Sequence, residues 1–251
     1  MSDDIRNNNT PPSTSAQERK VSDLFNTDIG PEDMRRLHNG NGTDSTCLNH
    51  NIVNFYFGLL RRYASVNSSE VWCYDTGYAD SLELMHADET LLSTCDVPSI
   101  RNVQHVLIPW YFPQDKQWAL VDVDMFKGEV FIYDPVRSDE HDAQLIDKVL
   151  PILLHMQIAF TKQAQFTRNK QPAPPWMDPY IDQTKFATYS ECGEVNDQNA
   201  GVYICRIANI IVNRLQPQDH KFDQISLIAD YHRRISLDIH YSRIWYTNPS
   251  L

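Results

Sequence analysis

Three consecutive apolar runs decide the fold: HVLIPWYF (105–112), QWALVDVDM (117–125) and EVFIYDP (129–135). Each run is rich in β-branched and aromatic residues, and the turn signals between them include Pro113 and Gly128. We therefore predict three successive strands, of which at least the last two form a hairpin. Apolar residues nearly fill the second run, which indicates a mostly buried strand.

Segments with helical periodicity lie on either side of this strand cluster in the sequence. Residues 51–63 carry apolar side chains at helical spacing, which predicts an amphipathic helix. An earlier helix is predicted to begin at Pro31, because two acidic residues follow it in the first turn. Residues 80–92 and 142–156 predict two further helices, the second kinked by Pro151.

Two more helices are predicted towards the end of the chain. Residues 200–214 are apolar on several faces, which indicates a central buried helix. Residues 224–239 predict a final helix with a basic stretch at His232, Arg233 and Arg234. This stretch is either a solvated helix face or a local site for an acidic partner or a phosphate. Helices at both ends and strands in the middle predict an α+β fold.

Composition excludes several classes of protein. The chain has 251 residues, with 22 basic against 33 acidic side chains and a net charge of −11. Duplex nucleic acid is bound through clustered Lys and Arg, so we expect no nucleic-acid partner. No apolar run reaches the roughly 18 residues of a membrane-spanning helix, so we expect no membrane partner. The nine histidines are scattered and no Gly-rich phosphate loop is present, so we expect no metal and no cofactor.

The first 20 residues differ in composition from the rest. They are polar and rich in Asn, Ser, Thr and Pro, which predicts a disordered tail (1–20) before one domain (21–251). They also lack the basic head and apolar stretch of a secretory signal. The five cysteines are odd in number and widely spaced, which favours a reducing compartment. We therefore expect an intracellular protein of the nucleus or cytoplasm.

Three segments, in this order, carry a resemblance to a known family. They are CLNHNIVNFY (47–56), the strand runs between 105 and 135, and DQNAGVYIC (197–205), followed by a basic helix at 231–239. They are similar to parts of the ubiquitin-like-protein-specific (SUMO or sentrin-specific) cysteine proteases of the adenain-like clan. The resemblance spans roughly residues 21–245. It implies the papain-like, ubiquitin-like-protease type of fold, with a central mixed sheet, flanking helices and a buried central helix.

The chemistry of such proteases needs a thiolate nucleophile, a histidine base, an orienting aspartate and a glutamine that donates to the oxyanion. The resemblance matches the aspartate to Asp134. The other three positions hold Gln117 for the histidine, Ala200 for the cysteine and Glu194 for the oxyanion glutamine. An amide is no general base, a methyl group is no nucleophile and a carboxylate has no proton to donate. The resemblance therefore implies an inactive relative.

The resemblance also implies a substrate groove. In the family, two tryptophans sandwich the Gly-Gly tail of the ubiquitin-like protein. Trp118 matches one of them and Cys47 replaces the other, while Asn199 and Gly201 lie on either side of Ala200. Trp118 is thus either a remnant of this clamp or a core aromatic residue.

These positions support three hypotheses. The first is a non-catalytic binding or scaffold module, whose partner is SUMO, another ubiquitin-like protein or an unrelated protein. The alternative is an active isopeptidase of the same family whose nucleophile has been replaced by Ala200. A third interpretation is an α+β interaction domain with an acidic surface. A substitute nucleophile at Cys192 is disfavoured by its acidic neighbours, and a substitute base at His105 by its distance along the strand.

Overall fold

The computed structural model describes residues 27–38, 47–67, 70–78, 103–113, 116–125, 127, 129–135, 143–144, 146–147, 149–150, 186–189, 199–217 and 225–241. The predicted tail (1–20), the predicted helix at 80–92, Cys192 and Glu194 lie outside these residues. The described positions between 143 and 150 are helical, within the helix predicted at 142–156.

The centre of the molecule is a five-stranded mixed sheet in the order β1-β2-β3-β4-β5. Its strands are β1 (Val71–Cys73), β2 (His105–Phe112), β3 (Gln117–Asp124), β4 (Glu129–Tyr133) and β5 (Phe186–Tyr189). The three predicted strands are β2, β3 and β4, and they pair antiparallel in sequence order. β1 and β5, which the sequence did not predict, add in parallel at the two edges.

Besides the helical positions between 143 and 150, the described fold has four helices: α1 (Pro31–His38), α2 (His50–Val66), α3 (Ala200–Val212) and α4 (Ile225–His240). All four were predicted to within a few residues. Asn49 fixes the start of α2, because its side-chain oxygen accepts a hydrogen bond from the Ile52 N–H at 3.0 Å. Within the ranges given above, no helix combines the length and the apolar character that crossing a membrane requires.

Side-chain alternation along the strands divides the core into two parts. All eight residues of β3 are buried, as predicted. Leu107, Trp118 and Leu120 join the cluster that packs against α2 and α3. The alternate residues, including Ile108 and Val121, form a second cluster on the opposite face. Eleven of the thirteen residues of α3 are buried, which confirms the predicted central helix.

A chain of hydrogen-bonded polar groups, buried at Tyr56 and Asp238 and partly buried elsewhere, links α2, α3 and α4. The Tyr56 hydroxyl accepts a hydrogen bond from Asn209 Nδ2 at 2.9 Å and donates to Asp238 Oδ2 at 3.4 Å. Asn213 Nδ2 donates to Asn209 Oδ1 at 2.9 Å, and the Tyr63 hydroxyl donates to Asn213 Oδ1 at 3.2 Å. Because a buried polar group that loses its partner is costly, this chain of contacts fixes the relative positions of the three helices.

A second polar pair, buried on the Asp122 side, joins β2 to β3. His105 Nδ1 lies 2.9 Å from Asp122 Oδ1, and Asp122 is almost fully buried. Burial alone lowers the pKa of His105, but the hydrogen bond and charge of Asp122 outweigh it, so the net pKa of His105 is raised. His105 is therefore held by a buried carboxylate at one end of the sheet.

Candidate functional site

The start of α3 packs directly against the start of α2 and against β3. Ala200, the first residue of α3, is 0% exposed. A Cβ atom on the next residue, Gly201, would lie 2.8 Å from Leu48 Cβ and 3.2 Å from Trp118 Cδ1. Only glycine permits so close an approach of the helix backbone. Asn199 precedes the helix, and its side chain makes no capping hydrogen bond.

Trp118 is the centre of this junction. Its side chain is 2% exposed, and its Nε1–H donates to the Leu48 carbonyl at 2.9 Å. Gln117, the preceding residue, is 8% exposed. Since Trp118 touches the turn that begins with Ala200, the structure brings the two positions matched to histidine and cysteine to one end of the sheet. Cys47, which precedes Leu48, is partly exposed at the same end.

Asp134 follows β4 and is 2% exposed. The ladder between β3 and β4 pairs Leu120 with Tyr133. One further step in this antiparallel register places Asp134 opposite Ala119, two residues from Gln117. Of the four positions matched to catalytic groups, three therefore lie around one end of the sheet. The fourth, Glu194, is outside the described residues.

Sequence reasoning missed two residues that complete this region, His50 and Tyr111. The His50 ring makes edge contacts with Tyr111, at 4.6 Å between centroids, and with Trp118, at 5.0 Å. Its Nδ1 is hydrogen-bonded to Thr76 Oγ1 at 3.2 Å. Tyr111 lies opposite Trp118 in the β2–β3 ladder, and their ring centroids are 4.7 Å apart. The sequence could have indicated Tyr111 through the register of the β2–β3 hairpin, because fixing the turn between the two strands pairs Tyr111 with Trp118.

The three described thiols differ in environment. Cys73 and Cys205 are fully buried, and burial raises the pKa of both thiols well above their usual range. Cys47 is partly exposed, and burial of Tyr111, followed by the nearness of the Cys47 thiol, raises the pKa of Tyr111. Cys47 is thus the described thiol that lies beside the aromatic cluster. Ala200 has no group that can attack a carbonyl.

Comparison with solved structures identifies the architecture. A structure of the SUMO protease Ulp1 with its catalytic cysteine oxidised to a sulfenic acid superimposes with a TM-score of 0.58, over 90% of each chain, at 15% identity. The Chaetomium thermophilum Ulp1-like SUMO protease catalytic domain gives a TM-score of 0.59 over 97% of this chain and 88% of that chain, at 13% identity. The chain has the Ulp1-like protease fold.

A third Ulp1-like structure is a complex. It is the C-terminal Ulp1 protease domain with Smt3, the yeast ortholog of SUMO, and it matches with a TM-score of 0.54 and 16% identity. The match covers 88% of this chain and 86% of that one. No protein-family model and no curated protein sequence matches the chain. The comparisons therefore confirm the predicted α+β, ubiquitin-like-protease type of fold, and function has to be argued from the site.

Proposed function

We propose that the chain is a non-catalytic protein with the Ulp1-like fold, which binds SUMO or another ubiquitin-like protein where α2, α3 and β3 begin. The observation that carries this proposal is the pair Gln117 and Ala200. Gly201, which follows Ala200, packs against Trp118, which follows Gln117, and the resemblance matches Gln117 and Ala200 to the catalytic histidine and cysteine.

The chemistry of this pair supports a loss of turnover. A general base must accept a proton near neutral pH, and the Gln117 amide does not. A cysteine protease must form a covalent bond to the substrate carbonyl, and the Ala200 methyl group does not. Among the described thiols, Cys73 and Cys205 are buried and protonated at neutral pH, so neither replaces the missing nucleophile.

The packing around the pair supports a retained binding surface. The Trp118 indole keeps a buried hydrogen bond to the Leu48 carbonyl, and Gly201 keeps the start of α3 in contact with both residues. Tyr111 and His50 are partly exposed beside this rigid base. A partly exposed aromatic group on a fixed support is typical of the residues that dominate protein interfaces. The Ulp1 domain of similar fold has been solved with Smt3 bound.

A binding titration tests the proposal. Purified chain is titrated with labelled SUMO and, in parallel, with labelled ubiquitin. Tyr111→Ala is the site variant, because Trp118 is buried and its removal would perturb folding. Tyr241→Ala, on an exposed side chain after α4, is the matched control. We expect micromolar or tighter binding to one modifier, weakened at least about tenfold by Tyr111→Ala and unchanged by Tyr241→Ala. Absence of binding to both modifiers would contradict the proposal.

The alternative of an active isopeptidase needs its own test. Asp134 is retained at the same end of the sheet, so only two of the three triad positions differ. The variants are Ala200→Cys and the double variant Ala200→Cys with Gln117→His, each incubated with a SUMO precursor. We expect no cleavage by the single variant, because a thiol without a base is weakly nucleophilic at neutral pH. Cleavage by Ala200→Cys alone would favour the isopeptidase.

A further inference from the structure

Arg206, on the surface formed by α3 and α4, has no anionic partner among the residues that the structure describes. The guanidinium carbon of Arg206, in α3, lies 4.1 Å from the centroid of the Tyr231 ring, in α4. Arg206 is partly exposed, and its Nε is buried without a hydrogen-bond acceptor.

The charged side chains near Arg206 do not neutralise it. Burial and then the positive charge of Arg234 lower the pKa of Arg206, while Tyr231 and Tyr56 act in the opposite direction. Arg234 itself is paired, since its Nε lies 3.3 Å from Asp238 Oδ1. The Asp238 carboxylate also accepts the hydrogen bond from Tyr56. Asp238 is therefore already paired with Arg234 and hydrogen-bonded to Tyr56.

We propose that Arg206, held over the Tyr231 ring and flanked by Arg234, is a docking site for a carboxylate on an acidic peptide segment of a partner protein. Contact with the ring restricts the guanidinium, whose paired N–H groups match a carboxylate. The fixed geometry reduces the side-chain entropy that binding would otherwise cost.

The charge count favours a carboxylate over a phosphate. Arg234 is paired with Asp238, which leaves Arg206 as the unpaired cation beside Tyr231. One unpaired guanidinium suits a singly charged carboxylate, whereas a phosphate group carries more charge and usually meets several cations. The site is also separate from the region around Ala200, since Arg206 lies six residues further along α3. Its test therefore does not depend on binding of a ubiquitin-like protein.

A short fluorescein-labelled tetraglutamate peptide is the probe, because a longer acidic peptide would be repelled by the net charge of −11. Anisotropy titrations compare the native chain with Arg206→Gln. The control Arg62→Gln makes the same charge change at an exposed position of α2. We expect saturable binding that Arg206→Gln weakens about tenfold, as for one charged hydrogen-bonded contact, and that Arg62→Gln leaves unchanged.

Two further variants separate the site from general charge effects. Arg206→Lys keeps the charge and much of the stem but loses the planar paired donors, so we expect weaker binding. Tyr231→Leu removes the stacking support and should weaken binding as well, whereas Tyr231→Phe should not. No saturable binding, or equal loss in Arg206→Gln and Arg62→Gln, overturns the proposal. Competition by inorganic phosphate as strong as competition by unlabelled peptide also overturns it, because the site would then bind small anions in general.

Discussion

Replacing Gly201 by alanine tests the close packing on which the candidate site depends. The added Cβ would meet Leu48 Cβ at 2.8 Å, Trp118 Cδ1 at 3.2 Å and Leu48 Cγ at 3.3 Å. Leu48 Cβ is attached directly to the backbone, so it cannot move aside by a change of rotamer. Either the start of α3 or the segment before α2 must shift.

The expected magnitude follows from two destabilising contributions and one stabilising contribution. Overpacking in a filled core costs about 1–3 kcal/mol. A shift of Leu48 would also weaken the hydrogen bond from Trp118 to its carbonyl, which contributes about 1 kcal/mol. Alanine in place of glycine in a helix contributes about 0.5–1 kcal/mol in the opposite direction. The net prediction for Gly201→Ala is a destabilisation of about 1–3.5 kcal/mol.

Urea unfolding followed by tryptophan fluorescence measures this difference. Gly30→Ala is the control, because the nearest atom to a Cβ at Gly30 is Asp33 Oδ2 at 3.7 Å, an ordinary contact. We expect a lower midpoint for Gly201→Ala and little change for Gly30→Ala. A Gly201→Ala variant as stable as the native chain would refute the packing described for this junction.

Three further predictions concern buried polar groups, and urea unfolding measures each. Tyr56→Phe removes both hydroxyl hydrogen bonds between the helices and should cost about 1–3 kcal/mol, whereas the exposed Tyr241→Phe should cost almost nothing. Because the pKa of His105 is raised, His105 contributes stability that is fully present below pH 6.5, its ordinary pKa. This contribution is lost as the pH rises through the raised pKa, and Asp122→Asn should abolish this loss. Burial lowers the pKa of His232, so the native chain should lose stability as pH falls below 6.5, and His232→Leu should not. If stability depends on pH in the same way in Asp122→Asn or His232→Leu as in the native chain, the role given to the corresponding histidine is contradicted.

The sequence predicted the elements whose pattern is local. β2, β3 and β4 are long, rich in β-branched and aromatic residues and separated by turn signals, so their positions follow from short-range rules. α2 and α3 carry strong apolar periodicity or overall apolar character and were predicted for the same reason. β1 and β5 have only three and four residues, and each pairs in parallel with a distant segment, so no local pattern identifies them.

Some residues of the candidate site could likewise be predicted from the sequence, whereas their tertiary contacts could not. Gln117 and Ala200 were found because they lie in motifs that can be matched position by position. His50 was quoted within such a motif, but its contacts with Tyr111 and Trp118 depend on how α2 packs on the β2–β3 hairpin. The stacking of Arg206 on Tyr231 likewise requires the packing of α3 against α4. These contacts are tertiary, and composition and periodicity carry no information about them.

The most direct test of the central claim is to incubate the native chain with a SUMO precursor and to measure complex formation and release of the C-terminal peptide in the same sample. We predict a saturable complex with no peptide release above the rate without protein. Peptide release would contradict the loss of catalysis argued from Gln117 and Ala200. Absence of a complex with the precursor and with a ubiquitin precursor would contradict the binding function.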